Sequence, residues 1–247
     1  MAPCKLHMNT NHLLFQSFAV FGHRGAAGLA PENTLPSFQK ALQLGCRGIE
    51  LDVHRVTDHQ EQIQLCVIHD AKVDRTTKTR GRVADFTVEE LSAMDAGDGY
   101  GVPLLTDVIT LLDSSPETWL NIELKGQGTA APTARLLCER QNLRVLVSSF
   151  DHKELAEFRA LEPKCPVAQL LHRHRASILD TAKALRATCI NVGKSMVSED
   201  FVTACQQAGY PVMVYTVNEP EQAQQLKHCG VAGIFSDRPD LMMQLQT

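Results

Sequence analysis

The chain has 247 residues, 44% hydrophobic and 21% charged, with a formal net charge of −4 and a pI near 6.2. That length suits one large α/β domain or two small ones, and the acidic balance argues against a nucleic-acid binder, which carries a basic excess. The eight cysteines, at 4, 46, 66, 138, 165, 189, 205 and 229, form no CxxC pair and no zinc-spaced Cys/His cluster, so they read as small core residues of a reduced, cytoplasmic protein.

Residues 1–12 read as a short tail. The following LLFQSFAVF is about half the length that spans a bilayer and carries Gln16 and Ser17. It imitates the apolar core of a signal peptide, but cleavage after it would remove the first strand, so no membrane anchor is expected. FAVFG (18–22) is that strand, and TLPSFQKALQLG follows as a helix with Leu35, Phe38, Ala41 and Leu42 on one face and Gly45 as its stop. GIELDV (48–53) and QLCVIHD (64–70) read as strands. Ala71 to Val102 is irregular and polar, with a short helix from Thr87 opened by a Thr87/Glu90 capping box. The strand WLNIEL (119–124), the helix APTARLLCERQ and the strand RVLVSS come next, then a helix that Asp151 caps. VAQLL, a helix around 177–187, CINVG, a helix from Ser198 to Gln207, PVMVYTV, a helix around 220–228 and GIFSD complete the chain.

Repeated strand-then-helix order means a mostly parallel sheet. About 230 residues without a mid-chain linker favour an α/β fold of the closed (β/α)8 TIM type in a single domain over 1–247, with a small insertion at 71–105. An open doubly wound sheet is the alternative, although the first glycine loop lacks GxGxxG spacing. The strands number nine, one too many. Eleven residues separate Val53 from Leu65, which is marginal for a parallel crossover and suits a hairpin turning near Asp58 to Glu61. Opposed residues would then sum to about 121, placing Asp52 opposite His69.

Four motifs end candidate strands in polar residues: Gly22-His23-Arg24-Gly25, Glu50-Leu51-Asp52, Ile68-His69-Asp70 and Glu123-Leu124-Lys125. In a barrel the C-terminal strand ends form the active face. Glu50 and Asp52 point the same way along a strand. Either one pairs with arginine while the other meets solvent, or both hold a divalent cation with Glu123 as the third ligand. An all-oxygen set suits Mg²⁺, Ca²⁺ or Mn²⁺ and not Zn²⁺. Lys125 shares a face with Glu123, as a salt bridge or as a point charge for an anion, and the Arg24 guanidinium matches a phosphate's oxygens. His23 and His69 beside such a cluster can give and take protons at neutral pH. Together these groups equip a site for phosphoryl chemistry.

HRGAAGLAPENTLPSFQKALQLGCRGIELDV, VIHDAKVDRTT, NIELK, SSF, VYTVNEPEQAQQL and GVAGIFSDRP, in that order over about residues 19 to 240, resemble the glycerophosphodiester phosphodiesterases, in particular their short, soluble bacterial members. The resemblance implies a TIM-type barrel and metal-dependent hydrolysis of a glycerophosphodiester to sn-glycerol 3-phosphate and an alcohol, as part of glycerophospholipid breakdown and glycerol metabolism. It implies His23 and His69 as acid and base, Glu50, Asp52 and Glu123 as ligands of one divalent cation, and Arg24 and Lys125 as phosphate-binding residues. Tyr215 stands where the family often has tryptophan on the pocket wall, and Glu32 braces the first loop or touches substrate. Thr57-Asp58-His59-Gln60-Glu61-Gln62 departs from the family's Thr-x-Asp-Gly, and Ser236-Asp237 stands where Thr-Asp is common. The expected partner is a small glycerophosphodiester, with no nucleic acid and no membrane; oligomeric state is left unassigned. A lysophospholipase D on the same machinery would need an apolar groove, and a phosphodiester-binding scaffold would have no use for two histidines.

Overall fold

The structure, a computed structural model, describes residues 14–140 and 142–246; the tail expected over 1–12 lies outside the described residues, as does Cys4. In chain order the strands are β1 (Ala19–Gly22), β2 (Gly48–Thr57), β3 (Ile63–Val67), β4 (Trp119–Leu124), β5 (Arg144–Ser149), β6 (Val167–Leu171), β7 (Cys189–Gly193), β8 (Val212–Tyr215) and β9 (Gly233–Ser236). All but β3 pair in parallel, from β2 through β4 to β9, and β1 closes the ring by pairing with β2 on one side and β9 on the other. The fold is the closed eight-stranded parallel barrel that the strand–helix alternation predicts.

The surplus strand is a hairpin arm, as expected, with its register one residue away from the expected one. β2 pairs with β4 over Gly48–Val53, then runs on past the barrel and pairs antiparallel with β3 from Val53↔Val67 to Thr57↔Ile63. Opposed residues sum to 120, so Asp52 faces Ile68, whose N–H donates to the Asp52 carbonyl at 3.0 Å, and not His69. The cause lies in the turn. Asp58 Oδ1 accepts from the N–H groups of both Gln60 and Gln62 at 2.9 Å, which centres the loop on Gln60 and places Glu61 at φ +59°.

Among the described residues the helices are α1 (Leu35–Gln43), α2 (Val88–Ala93), α3 (Leu105–Leu112), α4 (Ala130–Cys138), α5 (His152–Leu161), α6 (Ile178–Leu185), α7 (Glu199–Gln207) and α8 (Pro220–His228). Seven surround the barrel, and α2 lies in the segment between β3 and α3. The capping box of Thr87 and Glu90 is formed, and Asp151 caps α5 by accepting from Lys153 N and Glu154 N. α3 was not expected from the sequence. It buries Leu105, Val108, Ile109 and Leu112, an i, i+3, i+4, i+7 stripe, and Asp107 Oδ2 accepts the Leu104 N–H at 2.9 Å. Its Thr106, Val108, Ile109 and Thr110 are β-branched and weaken the local helix signal; burial against the barrel overrides that preference.

Inward positions divide into two levels. The floor is apolar: Ala19, Phe21, Trp119, Leu146, Met213 and Phe235 pack into one cluster, with Phe21 and Phe235 edge to face at 5.4 Å. Two residues further along the same strands the inward side chains are polar: Asn121 above Trp119, Ser148 above Leu146 and Asn191 above Cys189, with Glu123 two residues beyond Asn121. The period-2 pleat makes this stacking obligatory. Outward residues form the two larger cores beneath the helices, and a fourth cluster joins Val56, Cys66 and Ile68 of the hairpin to Val73, Val83 and Leu91 of the 68–104 segment. Cys46, Cys66, Cys165, Cys189 and Cys205 are buried free thiols, while Cys138 and Cys229 are partly exposed. Among the described residues no helix is long and apolar enough to cross a membrane.

Candidate active site

The barrel's C-terminal mouth opens into a cavity of about 270 Å³ whose lining includes His23, Arg24, Glu50, His69, Glu123 and Tyr215. The loop after β1 delivers the first two. Gly25 stands at φ +82°, where a Cβ would lie 2.5 Å from Ser37 Oγ, so the close approach of this loop to α1 requires glycine. Arg24 itself is left-handed at φ +50°, a conformation that costs an arginine about 1–2 kcal/mol. The strain is held by its surroundings. Arg24 N donates to Glu50 Oε2 at 2.8 Å, and the Arg24 carbonyl accepts from Asn33 N at 3.1 Å and from Ser37 Oγ at 2.9 Å.

β2 and β4 supply the carboxylates. Glu50, Asp52 and Glu123 are all buried, and one oxygen from each lies within 4.8 Å of the others. Burial, with the charges of Asp52 and Glu123, holds the Glu50 carboxyl well above the usual range. Burial, with Asp52, pushes Glu123 up to about 7. At Asp52 burial again favours the proton, but Lys125, His69, Arg24 and the Asn33 hydrogen bond together hold its carboxyl below the usual range. Lys125 Nζ lies 2.8 Å from Glu123 Oε1 and 3.6 Å from Asp52 Oδ1. Three buried carboxylates against Arg24 and Lys125 leave negative charge in excess, and Asp52 Oδ1 has no hydrogen-bond partner. A hard divalent cation fits this donor set.

The two histidines are anchored alike. His23 Nδ1 meets Asp237 Oδ1 at 2.6 Å, and Asp237 is fixed by Asn218, whose Nδ2 donates to Oδ2 and whose Oδ1 accepts the Asp237 N–H, both at 2.8 Å. His69 Nδ1 meets Asp70 Oδ1 at 2.5 Å. In each ring the carboxylate is placed to accept a hydrogen bond from Nδ1–H, which leaves Nε2 for a ligand in the cavity. Burial lowers the His69 pKa, opposed by Asp52 and Asp70.

Glu32 is wholly engaged by arginines. Oε1 accepts from Arg24 Nη1 at 2.8 Å and Arg75 Nη2 at 2.7 Å, and Oε2 from Arg75 Nη1 at 2.7 Å, which is the geometry of the bracing alternative. Tyr215 presents its ring to the cavity and spends its hydroxyl on the Leu171 carbonyl at 2.6 Å; Phe150 stands edge to face against it at 5.9 Å.

Four contributors went unrecognised in the sequence: Asn33, Arg75, Asp237 and Asn218. Asn33 and Thr34 both stand just before α1 with side chains suited to a cap. Thr34 holds the cap position without a side-chain cap bond, because its hydroxyl donates to the Pro31 carbonyl at 2.6 Å, and Asn33 instead donates Nδ2 to Asp52 Oδ2 at 2.9 Å. Arg75 Nε donates to Asp70 Oδ2 at 2.6 Å. Only the Asp-Arg and Ser-Asp pairs within the quoted motifs hinted at these roles.

The Glycerophosphoryl diester phosphodiesterase family model matches residues 23–241. The chain is 34% identical over 242 residues to the glycerophosphodiester phosphodiesterase of Bacillus altitudinis, covering 92% of this chain and 97% of that one. It is 31% identical over 239 residues to the glycerophosphodiester phosphodiesterase of Caldanaerobacter subterraneus subsp. tengcongensis, covering 92% and 96%. Among solved structures it superposes with a TM-score of 0.85 and 26% identity on an Oleispira antarctica phosphodiesterase in complex with the product sn-glycerol-3-phosphate, covering 95% of this chain and 98% of that one.

Proposed function

Because the chain belongs to the glycerophosphoryl diester phosphodiesterase family and is an enzyme of the phosphodiesterase class, we propose that it hydrolyses glycerophosphodiesters to sn-glycerol 3-phosphate and an alcohol. Its substrates are the small cytoplasmic diesters that glycerophospholipid breakdown leaves. The observation that carries this reading is the convergence on one cavity of the Glu50/Asp52/Glu123 cluster and two carboxylate-anchored histidines.

Arg24 and Lys125 bind the phosphodiester. The Arg24 Nε lies 3.5 Å from Asp52 Oδ2 without forming a hydrogen bond, and both cations oppose the charge that grows on the phosphoryl oxygens in the transition state. A divalent cation on Glu50, Asp52 and Glu123, whether Mg²⁺, Ca²⁺ or Mn²⁺, would polarise a phosphoryl oxygen as a Lewis acid. His23 Nε2, with the Nδ1–H donated to Asp237, removes a proton from the attacking oxygen. His69, in its doubly protonated form, donates from Nε2 to the departing alcohol oxygen, with Asp70 stabilising the ring's charge. Tyr215 and Phe150 wall the cavity and exclude water from its side.

The test is release of glycerol 3-phosphate from glycerophosphocholine by chelator-treated protein, with Mg²⁺, Ca²⁺ or Mn²⁺ restored singly. Release that returns with a metal is the expected result. Folded protein that releases nothing with any metal, yet cleaves a lysophospholipid, would overturn the short-diester reading.

A further inference from the structure

A second, smaller cavity adjoins the catalytic one. Phe150 and Leu170 line both; the second is completed by His152, His172, Arg173 and Arg175, with a volume of about 40 Å³, roughly three water positions and thus the size of one compact anion. The sequence here is Leu171-His172-Arg173-His174-Arg175, the loop after β6, and all four basic side chains are exposed. No carboxylate lines this cavity. Among the described residues neither the Arg173 nor the Arg175 guanidinium is engaged in an ion pair or a side-chain hydrogen bond. In a chain of net charge −4, two unpaired guanidiniums and two imidazoles within four residues at the mouth form a local anion-attracting patch.

The first cavity has no such group to spare. Arg24, which lines it, and Lys125, which lies against Glu123, are already paired with Glu32, Asp52 and Glu123, while Phe150, Leu170 and Tyr215 leave the wall toward the second cavity without charge. His172 is fixed to that wall by its ring contact with Phe150, centroid to centroid 5.5 Å. A diester lying across Phe150 therefore meets neutral surface first and then the basic loop. Glycerol carries no ionisable group, so a further anion on the substrate can only belong to its alcohol.

We propose that the loop from His172 to Arg175 is a subsite for a phosphate or carboxylate carried by the leaving alcohol, so that the enzyme favours glycerophosphodiesters of anionic alcohols. The inference rests on the phosphodiesterase reading of the adjoining site. It commits to a soluble substrate; an anionic lipid surface shares the same chemistry and is separated below.

The experiment compares kcat/KM for glycerophosphoinositol and glycerophosphoinositol 4-phosphate, a pair differing only in one phosphate on the alcohol, in the intact enzyme and in the Arg173→Ala/Arg175→Ala variant. Charge-assisted hydrogen bonds to the extra phosphate correspond to a preference of about tenfold or more for the phosphorylated diester. That ratio should collapse toward one in the variant and shrink with salt in the intact enzyme. Equal kcat/KM for the two diesters in the intact enzyme, or a preference that survives the double substitution, overturns the inference while leaving the phosphodiesterase reading standing. Cleavage of neither inositol diester by enzyme that still cleaves glycerophosphocholine overturns the inference alone, and failure on all three overturns the phosphodiesterase reading with it. Sedimentation with phosphatidylglycerol vesicles, lost in the variant and unaccompanied by a diester preference, would reassign the loop to a lipid surface and also overturn it.

Discussion

Arg75 and Glu32, forty-three residues apart, are joined by two parallel hydrogen bonds of 2.7 Å. The same guanidinium donates Nε to Asp70 at 2.6 Å. One exposed arginine of the 68–104 segment thus fastens the carboxylate behind His69 to the carboxylate behind Arg24. Arg75→Ala should lower kcat/KM by roughly 10–100-fold, the cost typical of losing an outer partner that orients a functional group. Lysine cannot form the same planar fork, so Arg75→Lys should stay impaired, whereas free guanidinium added to the alanine variant should restore part of the rate. Full activity in Arg75→Ala would show that the clamp orients nothing.

The clamp also has a pH signature. Asp70 opposes a modest burial penalty with hydrogen bonds from Arg75 and His69, and its carboxyl is drawn down to about 2; Glu32 is likewise lowered. Both groups bind more protons in the unfolded chain than in the folded one as the pH falls, Asp70 between about pH 4 and 2, so stability falls as pH drops through that window. Because Asp70 and Arg75 are partly exposed, solvent screening limits the contribution to about 1 kcal/mol. Urea midpoints of the intact protein and of Arg75→Ala should differ most above pH 4 and converge toward pH 2. A difference that persists unchanged at pH 2 would argue against the ion pairs as its source.

Metal binding should release protons. Glu123 is pushed up to about 7 by burial and by Asp52, and Glu50 lies well above the ordinary carboxylate range for the same reasons with Glu123 added. A cation must displace those protons, so apparent affinity should rise with pH through 7. Calorimetry in two buffers of different ionisation enthalpy measures the protons released per ion. Glu123→Gln should weaken binding by more than the roughly 10–100-fold that losing an outer-shell partner costs. An affinity flat from pH 5.5 to about 8, outside the range such coupling allows, would exclude this triad as the ligand set.

His69→Ala should lower kcat by roughly 10²–10⁴, the usual worth of a positioned acid–base group. Asp237→Asn keeps the shape but removes the carboxylate that accepts the His23 Nδ1–H hydrogen bond, and the wrong tautomer then presents a donor where a base is needed. It should cost at least about tenfold in kcat, on the logic of the Ser-His-Asp triad. A variant with unchanged kcat would place the base elsewhere.

Both the strand order and the carboxylate triad could be read from the chain. Apolar runs that end in His-Arg, Glu-x-Asp, His-Asp or Glu-x-Lys are local signals, and a barrel needs only their succession to bring its strand ends to one mouth. The spacing of Glu50 to Asp52 and of Glu123 to Lys125 fixed their common faces through the pleat alone. What the chain could not disclose were choices among competing partners. Asn33 and Thr34 have side chains suited to a cap, and only the folded loop sends one to Asp52 and the other to Pro31. Asp58 sets the hairpin pairing one residue from the expected register by accepting two N–H groups at once. Helix α3 forms against the β-branched character of its middle because the barrel buries its stripe. The Asp237–His23 and Arg75–Glu32 pairs join residues 214 and 43 positions apart. Local periodicity carries no information about which distant charges will meet; closure of the barrel and the fold of the 68–104 segment decide that, and with it how both histidines are held.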